Sequence, residues 1–172
     1  MLDETLVANT LNAALTGGAD FAEVFVEDKR NSSAFLDDGK IEELTSGRDR
    51  GAGIRVVSGD TTGFAHTADL SETGLRNAAE AAAAAARGGG GGVRKVSLER
   101  QEASRDIEVQ TFPETVAKST KVELLQRADE EARSIGDAIS QVSARYGDSR
   151  RKILVANSDG LIAGDDLSLI HI

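Results

Sequence analysis

The first apolar positions of the chain recur with the period of a helix. They fall at i, i+4, i+7 and i+8, which places them on one helical face. These positions are Val7, Leu11, Ala14 and Leu15. Gly17 and Gly18 follow directly, and glycine is the residue that most often ends a helix. The pattern therefore predicts an amphipathic helix over residues 1–15 that packs against a sheet.

Short β-rich runs separated by turn residues come next. The predicted strands are Ala22–Asp28, Ser33–Leu36, Lys40–Ser46, Ala52–Val57 and Thr62–His66. Asp38-Gly39 and Ser58-Gly59-Asp60 supply residues that tolerate positive φ, as hairpin turns require. Because tight turns join strands that run antiparallel, this segment predicts an antiparallel meander.

A second helix is predicted from the sequence DLSETGLRNAAEAAAAAA. Asp69 is the expected N-cap, and Glu72 lies three residues later, as in an acidic variant of the capping box. The alanine run has the highest intrinsic helix propensity and extends the helix to Ala86. The five glycines Gly88–Gly92 then predict a flexible tether, since each loses much backbone entropy on ordering.

The part after the tether begins with a poorly patterned stretch, Val93–Ala117, before a third helical pattern appears. Thr120 and Glu123 have the spacing of a capping box and predict a helix over Lys121–Ile135. Its apolar positions follow a 3-4-3 spacing and would form the buried face. They are Leu125, Ala128, Ala132 and Ile135.

Two further β-rich runs predict a paired hairpin. They are Ala138–Tyr146 and Arg151–Ala156, joined by a turn at Gly147-Asp148. Asn157–Gly160 predicts another turn, after which Leu161 begins a strand. The expected fold class is α+β, an antiparallel sheet meander with packed helices.

We expect one domain over residues 1–166, made of residues 1–87, the tether 88–92 and a second α+β part, 93–166. The last six residues, Leu167–Ile172, read LSLIHI, which matches the translation of a transposon end used as a sequencing adapter. We interpret them as an artefact, so that the gene is expected to continue beyond Asp166. This interpretation leaves His66 as the only genuine histidine.

Composition and charge argue against several classes of function. The net charge is -9, with 29 acidic against 20 basic residues, which argues against nucleic-acid binding. The basic triplet Arg150, Arg151 and Lys152 is expected to be a solvated strand edge. The absence of cysteine excludes disulfides and Cys-based zinc sites. The start of the chain lacks the features of a signal peptide. The longest run of small apolar residues, Ala81–Ala86, is too short to cross a bilayer. We therefore expect a cytoplasmic location.

Three groups of residues are of types that could support catalysis or ligand binding. His66 is expected to be a strand-end residue, because no nucleophile elbow accompanies it. Four glycines lie between strands without the Lys-Ser/Thr ending of a phosphate loop, and strand packing or a bulge is the better interpretation: Gly47, Gly51, Gly53 and Gly59. Four carboxylates are expected to be hairpin charges that protect a sheet edge: Asp37, Asp38, Glu42 and Glu43. The residues alone thus assign no catalytic, cofactor-binding or metal-binding position.

Several ordered motifs resemble one family. The segments GADFAEVFVED, DDGKIEELTSGRDRGAGIRVV and TGFAHTADLSETGLRNAAEAA, followed later by ILVANSDG, are similar to the amino-terminal region of the TldD/PmbA family, also called modulator of DNA gyrase. The similarity covers nearly all of residues 2–166, most weakly over 88–117. It implies the fold of that family's amino-terminal domain.

The resemblance also implies a function. Members are cytoplasmic zinc metallopeptidase subunits whose carboxy-terminal domain carries a His-Glu-x-x-x-His helix, with two zinc-binding histidines and a glutamate general base. This sequence has no such motif, so we expect this part to be inactive and free of metal, with zinc bound elsewhere in the parent protein. It would help to form the chamber for extended or unfolded peptides and contact a PmbA-like subunit or another copy.

Two alternatives remain open. The chain could come from the related non-catalytic PmbA-like partner subunit, or it could be a binding or regulatory module that acts on gyrase or nucleic acid. The acidic net charge weighs against direct contact with DNA.

Overall fold

The computed structural model describes residues 2–86, 96–102 and 109–171. Within these residues the helices are α1 (Glu4–Ala14), α2 (Glu72–Ala85) and α3 (Lys118–Arg133), with a 3-10 turn at Pro113–Thr115. The strands are β1 (Phe21–Asp37), β2 (Lys40–Ser58), β3 (Thr61–Thr67), β4 (Glu99–Glu102), β5 (Ser143–Asn157) and β6 (Leu161–His171). The predicted tether, Gly88–Gly92, lies outside the described residues.

The strands form one sheet in the order β3-β2-β1-β5-β6-β4. β2 and β3 pair antiparallel, whereas the short strand β4 pairs with β6 in parallel. At one end of the β1–β5 pair, Ser158 N donates to Ala22 O at 2.8 Å. At the other end Asp38 N donates to Val142 O at 2.9 Å, so these strands are antiparallel. The predicted α+β class is confirmed, but β4 falls in the stretch that sequence patterning left unassigned.

The first of two compact units holds the larger hydrophobic core. The predicted buried face of α1 is confirmed, because all four of its apolar side chains are at most 1% exposed. α1 packs on α2, and α2 packs on β3. Gly63 of β3 makes this contact possible, since a Cβ there would lie 2.6 Å from the backbone nitrogen of Ala86. The unit comprises residues 1–28, 50–104 and 152–165.

The second compact unit has a smaller core around α3. Alternate residues of β1, Ala34 and Leu36, point into it and meet Leu125 of α3 and Tyr146 of β5. The alternation is the period of a strand with one buried face. This unit comprises residues 29–49, 105–151 and 166–172.

The predicted hairpin turns are confirmed where they join β1 to β2 and β2 to β3. Asp38 and Gly39 both have positive φ, 46° and 77°, and Gly59 has φ 55°. Asp20 also accepts a hydrogen bond at 2.7 Å from Gly59 N. These residues therefore form the hairpin turns that the sequence predicts.

The strand boundaries predicted from turn residues are wrong in three places. β1 runs without a break through residues 29–32, and β2 runs through residues 47–51. The predicted turn at Gly147-Asp148 is absent, because β5 continues through both residues. Gly147 is not among the glycines with positive φ, so it does not adopt the conformation of a hairpin turn.

The helix caps also differ from the prediction. Ser71, not Asp69, caps α2 and accepts from Gly74 N at 3.1 Å, while Asp69 accepts from Ser71 N. α3 begins at Lys118, so the capping box of Thr120 and Glu123 does not form. Its N-cap residue, Ala117, offers no side-chain bond.

The buried face of α3 was also predicted wrongly. The buried positions are Lys121, Leu125 and Asp129, spaced by four residues. Ala128 is exposed, and Ile135 lies beyond the helix and is 78% exposed. The helix therefore turns two charged side chains inward, where each meets an opposite charge. None of the described helices is long and apolar enough to cross a membrane.

Candidate functional site

The second compact unit contains a cavity of about 530 Å³. Its lining comes from the middle of β1 and β2, the segment before α3, the first turn of α3 and the middle of β5. These residues are Arg30, Asn31, Ser32, Ser46, Gly47, Arg48, Glu114, Val116, Lys118, Lys121, Asp148 and Arg150. Basic side chains outnumber acidic ones in this list by five to two, in a chain whose net charge is -9.

A buried ion pair forms one part of the lining. Lys121 Nζ lies 2.6 Å from Asp148 Oδ2, and both side chains are only 5% exposed. Lys121 also donates to Ser32 Oγ at 2.8 Å, and Ser32 donates to the same carboxylate oxygen at 2.6 Å. The ammonium lies 5.5 Å from the ring centre of Tyr146, a favourable cation–π distance. Two strands, β1 and β5, and the helix α3 are thus joined by one polar cluster.

The cluster changes the acidity of its members. Burial by itself would raise the pKa of Asp148, but hydrogen bonds from Lys121, Ser32 and Tyr146 outweigh it and lower the pKa below its usual value. Burial and the bond to Asp148 raise the pKa of Tyr146 to about 12. At neutral pH the carboxylate is therefore ionised and the phenol is protonated.

A serine so close to a lysine amine could suggest a Ser–Lys nucleophile pair. Here the Lys121 side chain is an ammonium paired with Asp148, so it has no lone pair to take a proton from Ser32. The Ser32 hydroxyl itself donates to that carboxylate. Within the described residues, no buried side-chain nitrogen or oxygen lacks a hydrogen-bond partner. The cluster is a satisfied structural network rather than a reactive centre.

Arg150 forms a second part of the lining. Its guanidinium makes two bonds to the carboxylate of Asp166, at 2.8 and 2.7 Å, and one to Glu114 at 2.5 Å. It also lies 3.3 Å from the ring centre of Phe112. The hydrogen bonds to Asp166 are the main reason that the pKa of Arg150 is raised. The expectation that Arg150 belongs to a solvated strand edge is wrong, because its side chain is only 12% exposed.

The remaining basic side chains of the cavity are solvent-exposed. Arg30 lies on β1, Arg48 on β2 and Lys118 at the first position of α3. Arg30 acts on Glu114 through its charge and contributes to the lowered pKa of that carboxyl, which burial opposes. Three exposed basic side chains therefore belong to the lining of the cavity.

Apart from Arg150 and Gly47, the residues that the sequence had singled out lie elsewhere. His66 is exposed near the end of β3, with its ring centre 6.4 Å from that of Phe64. Gly51 and Gly53 lie within β2, and Gly59 is in the following turn. Gly47 is also within β2 but lines the cavity, where its missing Cβ would lie 3.0 Å from Asn31 Oδ1. Strand packing explains Gly47, Gly51 and Gly53, and a positive φ in a turn explains Gly59, so none of them belongs to a phosphate loop.

The four hairpin carboxylates divide into two pairs. Asp37 accepts from Ser143 Oγ at 2.5 Å, and this bond is the main cause of its lowered pKa. Asp38 pairs with Arg133 at 2.5 Å, and β1, which ends at Asp37, lies between β2 and β5 rather than at an edge of the sheet. Glu42 and Glu43 are exposed on the half of β2 that β3 does not pair with. For these two residues the expectation of edge charges agrees with the structure.

Sequence reasoning missed the residues that form the cavity. Lys121, Ser32 and Asp148 are polar residues that a local pattern assigns to the surface. One signal was available: Lys121, Leu125 and Asp129 are spaced by four residues, so a buried face containing charges could have been considered. No group of three or more possible metal ligands occurs within the described residues, so they do not fit a zinc site.

The described fold and cavity can be compared with known proteins. Residues 22–86 match the model of the PmbA/TldA metallopeptidase domain 1, and residues 112–172 match that of the PmbA/TldA metallopeptidase central domain. The chain is 29% identical over 160 residues to the metalloprotease TldD homolog of Haemophilus influenzae, covering 89% of this chain and 32% of that protein. It is 28% identical over 165 residues to the homolog of Buchnera aphidicola from Schizaphis graminum, covering 96% and 34%.

Solved structures share the fold. TldE from Thermococcus kodakarensis has a TM-score of 0.72 at 21% identity, over 95% of this chain and 37% of that one. A modulator of DNA gyrase from Thermotoga maritima, titled as putative, has a TM-score of 0.73 at 19% identity, over 96% and 37%. The chain spans about a third of the length of the curated relatives it matches. The two domain matches, in order along the chain, show that it belongs to the TldD/PmbA metallopeptidase family.

Proposed function

We propose that this chain supplies the first and central domains of a TldD-like zinc-dependent peptidase and has no catalytic residues of its own. In the parent protein these domains help to form the substrate chamber and contact a neighbouring subunit. The observation that carries this proposal is the ordered match to the two domain models in a chain that spans a third of its metalloprotease relatives. We also propose a cytoplasmic location for the parent protein, which the family resemblance supports.

The histidine content supports the assignment of zinc binding to another part of the parent protein. The chain has two histidines, His66 and His171, which are too far apart to form a His-Glu-x-x-x-His helix. A catalytic zinc ion needs about three protein ligands that leave one position open for water. We therefore assign zinc binding and water activation to residues of the parent protein outside this sequence.

The sheet supports a role in peptide binding. β3 is the outermost strand beside β2 in the described sheet, and Phe64 on it is 62% exposed. An extended peptide can add to such an edge through backbone hydrogen bonds, with its side chains beside those of the edge strand. Unfolded segments are the substrate class that this geometry favours, because they can adopt the extended form.

A second candidate is the amino-terminal part of the family's non-catalytic partner subunit. The structural match to TldE supports it, since the fold is not confined to proteins named TldD. In either subunit the peptide-contacting role would be the same.

Activity measurements test the catalytic part of the proposal. Purified protein is incubated with an unfolded protein substrate and ZnCl₂, and the products are followed by mass spectrometry. We expect no cleavage above the buffer control. Cleavage that a chelator abolishes would contradict the proposal.

Peptide binding tests the other part. A fluorescent extended peptide is titrated with the protein and with the variants Phe64→Lys and Phe25→Lys. Phe25 is a matched control because it is an exposed phenylalanine of β1, 38% accessible. We expect Phe64→Lys to weaken binding about two- to fivefold, the range of one cross-strand pair, and Phe25→Lys to leave it unchanged. Equal effects of both variants would exclude the β3 edge as the binding site.

A further inference from the structure

The cavity of the second unit concentrates positive charge that folding alone does not require. Five of its twelve described lining residues are basic, and two are acidic. Arg30 and Lys118 are exposed there, where mutual repulsion between like charges raises the free energy of the folded state. Substitution by neutral side chains would relieve this repulsion at no cost to the hydrophobic core.

The start of α3 adds to the positive potential. The helix has 16 residues, no acidic residue in its first turn and no side-chain cap. Lys118 is its first residue, and Lys121 follows one turn later, both within the cavity lining. Lysines near a helix N-terminus oppose the helix dipole and lower stability. Lys121 is already paired with Asp148, whereas an anion beside Lys118 would remove this unfavourable interaction.

The floor of the cavity is fixed in place. Lys121 is held by Asp148 and Ser32, and Arg150 is held by Asp166 and Glu114. These contacts orient basic side chains before any ligand arrives, which lowers the entropy cost of binding. Neutral donors stand beside them in the lining: Asn31, Ser32 and Ser46.

We propose that this cavity binds an oxyanion, the shared chemistry of a peptide carboxylate and a phosphate group. Arg30 and Lys118 supply exposed charges in its lining, while Lys121 and Arg150, each already paired with carboxylates, form a preorganised floor. A volume of about 530 Å³ is larger than a lone oxyanion needs and leaves room for the group that carries it. The site is separate from the β3 edge and does not depend on the proposed peptidase role.

Isothermal titration calorimetry on the intact chain tests the proposal with three probes. The first is inorganic phosphate, the second an acetylated alanine tripeptide with a free carboxylate, and the third the same tripeptide as its amide. We expect saturable binding of phosphate or the carboxylate peptide, and none of the amide. Selective binding of the carboxylate peptide identifies a peptide terminus as the source, whereas selective binding of phosphate identifies a phosphorylated or free phosphate ligand. Absence of binding by both anions at low ionic strength would overturn the proposal.

Charge-neutral variants locate the site. Lys118→Gln and Arg30→Gln are each expected to weaken binding about tenfold, as expected for one charge-assisted hydrogen bond. Arg127→Gln is the matched control, because Arg127 is exposed on the same helix but is not part of the lining. Equal weakening by all three variants would indicate nonspecific attraction and overturn the assignment. Circular dichroism of each variant checks that the fold is retained.

Failure of the oxyanion proposal can be distinguished from failure of the proposed function. The calorimetric titration needs no zinc, no partner subunit and no cleavage. Anion binding by a chain that does not bind extended peptides at β3 would support the cavity and reject only the edge role.

Discussion

Lys121, Ser32 and Asp148 are separated by 27 to 116 residues in the sequence and meet in one buried cluster. A buried charge is tolerated when an opposite charge and additional hydrogen bonds satisfy it. Because the three residues come from α3, β1 and β5, their contacts also fix the spacing of these elements. The energetic role of the cluster is best measured by removing one partner at a time.

Asp148→Asn is expected to lower the free energy of unfolding by about 3–5 kcal/mol, because it leaves the Lys121 ammonium buried without its counter-ion. Urea denaturation followed by circular dichroism measures the change. The double variant Lys121→Met/Asp148→Leu should recover most of the loss, since it removes both charges and keeps apolar volume.

Glu72→Gln is the matched control for that series. It breaks an exposed pair with Arg76 on α2, at 3.1 Å, and should cost less than about 0.5 kcal/mol. An Asp148→Asn variant as stable as Glu72→Gln would show that the buried pair does not contribute as described.

Tyr146 gives a pH-dependent signal that needs no substitution, since it is the only tyrosine of the chain. Its pKa is raised to about 12 in the folded state, from an ordinary value of 10.0, because burial and Asp148 disfavour the phenolate. This raised pKa stabilises the fold in full below pH 10, and the contribution is lost as the pH rises through about 12.

Ultraviolet absorbance of the phenolate measures this titration. We expect a midpoint near 12 for the folded chain and near 10 for the same chain in concentrated urea. A folded-state midpoint equal to that in urea would mean that Tyr146 is solvated rather than bonded to Asp148.

The sequence could not identify this cluster, because local patterns assign a residue to the core or to the surface from its type alone. Lysine and aspartate are mostly exposed, so the 3-4-3 apolar spacing placed the buried face of α3 at the wrong positions. The apolar residues of α1 raised no such conflict, and its predicted face is the observed one. Burial of charges depends on partners distant in sequence, which periodicity does not detect.

At the level of elements, hydrophobic pattern located helices and strands better than turn residues located their ends. Asp38-Gly39 forms a turn, whereas Gly147-Asp148 does not, although both offer turn chemistry. The difference lies in tertiary contacts, since Asp148 is bonded to Lys121 and Ser32 within a continuous strand. A sequence that favours a turn therefore stays in a strand where its side chain makes tertiary hydrogen bonds.

Gly63→Ala tests the packing of α2 on β3. A Cβ at Gly63 would collide with the carbonyl oxygen of Ala82 and lie 2.6 Å from Ala86 N, both of them backbone atoms that cannot rotate away. We expect a loss of about 3 kcal/mol, at the upper end of the range for overpacking, visible as a lower thermal midpoint.

Gly147→Ala is the control for this substitution. Nothing lies within 4 Å of a Cβ at Gly147, and its φ is not positive, so alanine should be tolerated. A Gly63→Ala variant as stable as Gly147→Ala would show that α2 can move away from β3 at little cost.

At the scale of the whole molecule, charge is segregated. The chain carries a net charge of -9, yet basic residues predominate around one cavity. Duplex DNA is bound through many phosphates at once, and each contact releases counter-ions only if a basic side chain meets it. One cavity can satisfy a single oxyanion, whereas the net negative charge of the chain repels a polyanion.

We therefore expect no shift of duplex DNA in an electrophoretic titration at low salt, where electrostatic attraction is strongest. Inorganic phosphate should bind under the same conditions, because the basic residues of one cavity are enough to hold a small ion. Raising the salt concentration should weaken phosphate binding and leave the DNA result unchanged. A DNA shift that disappears with added salt would favour the regulatory alternative, in which the basic cavity is part of an extended nucleic-acid contact rather than a local oxyanion site.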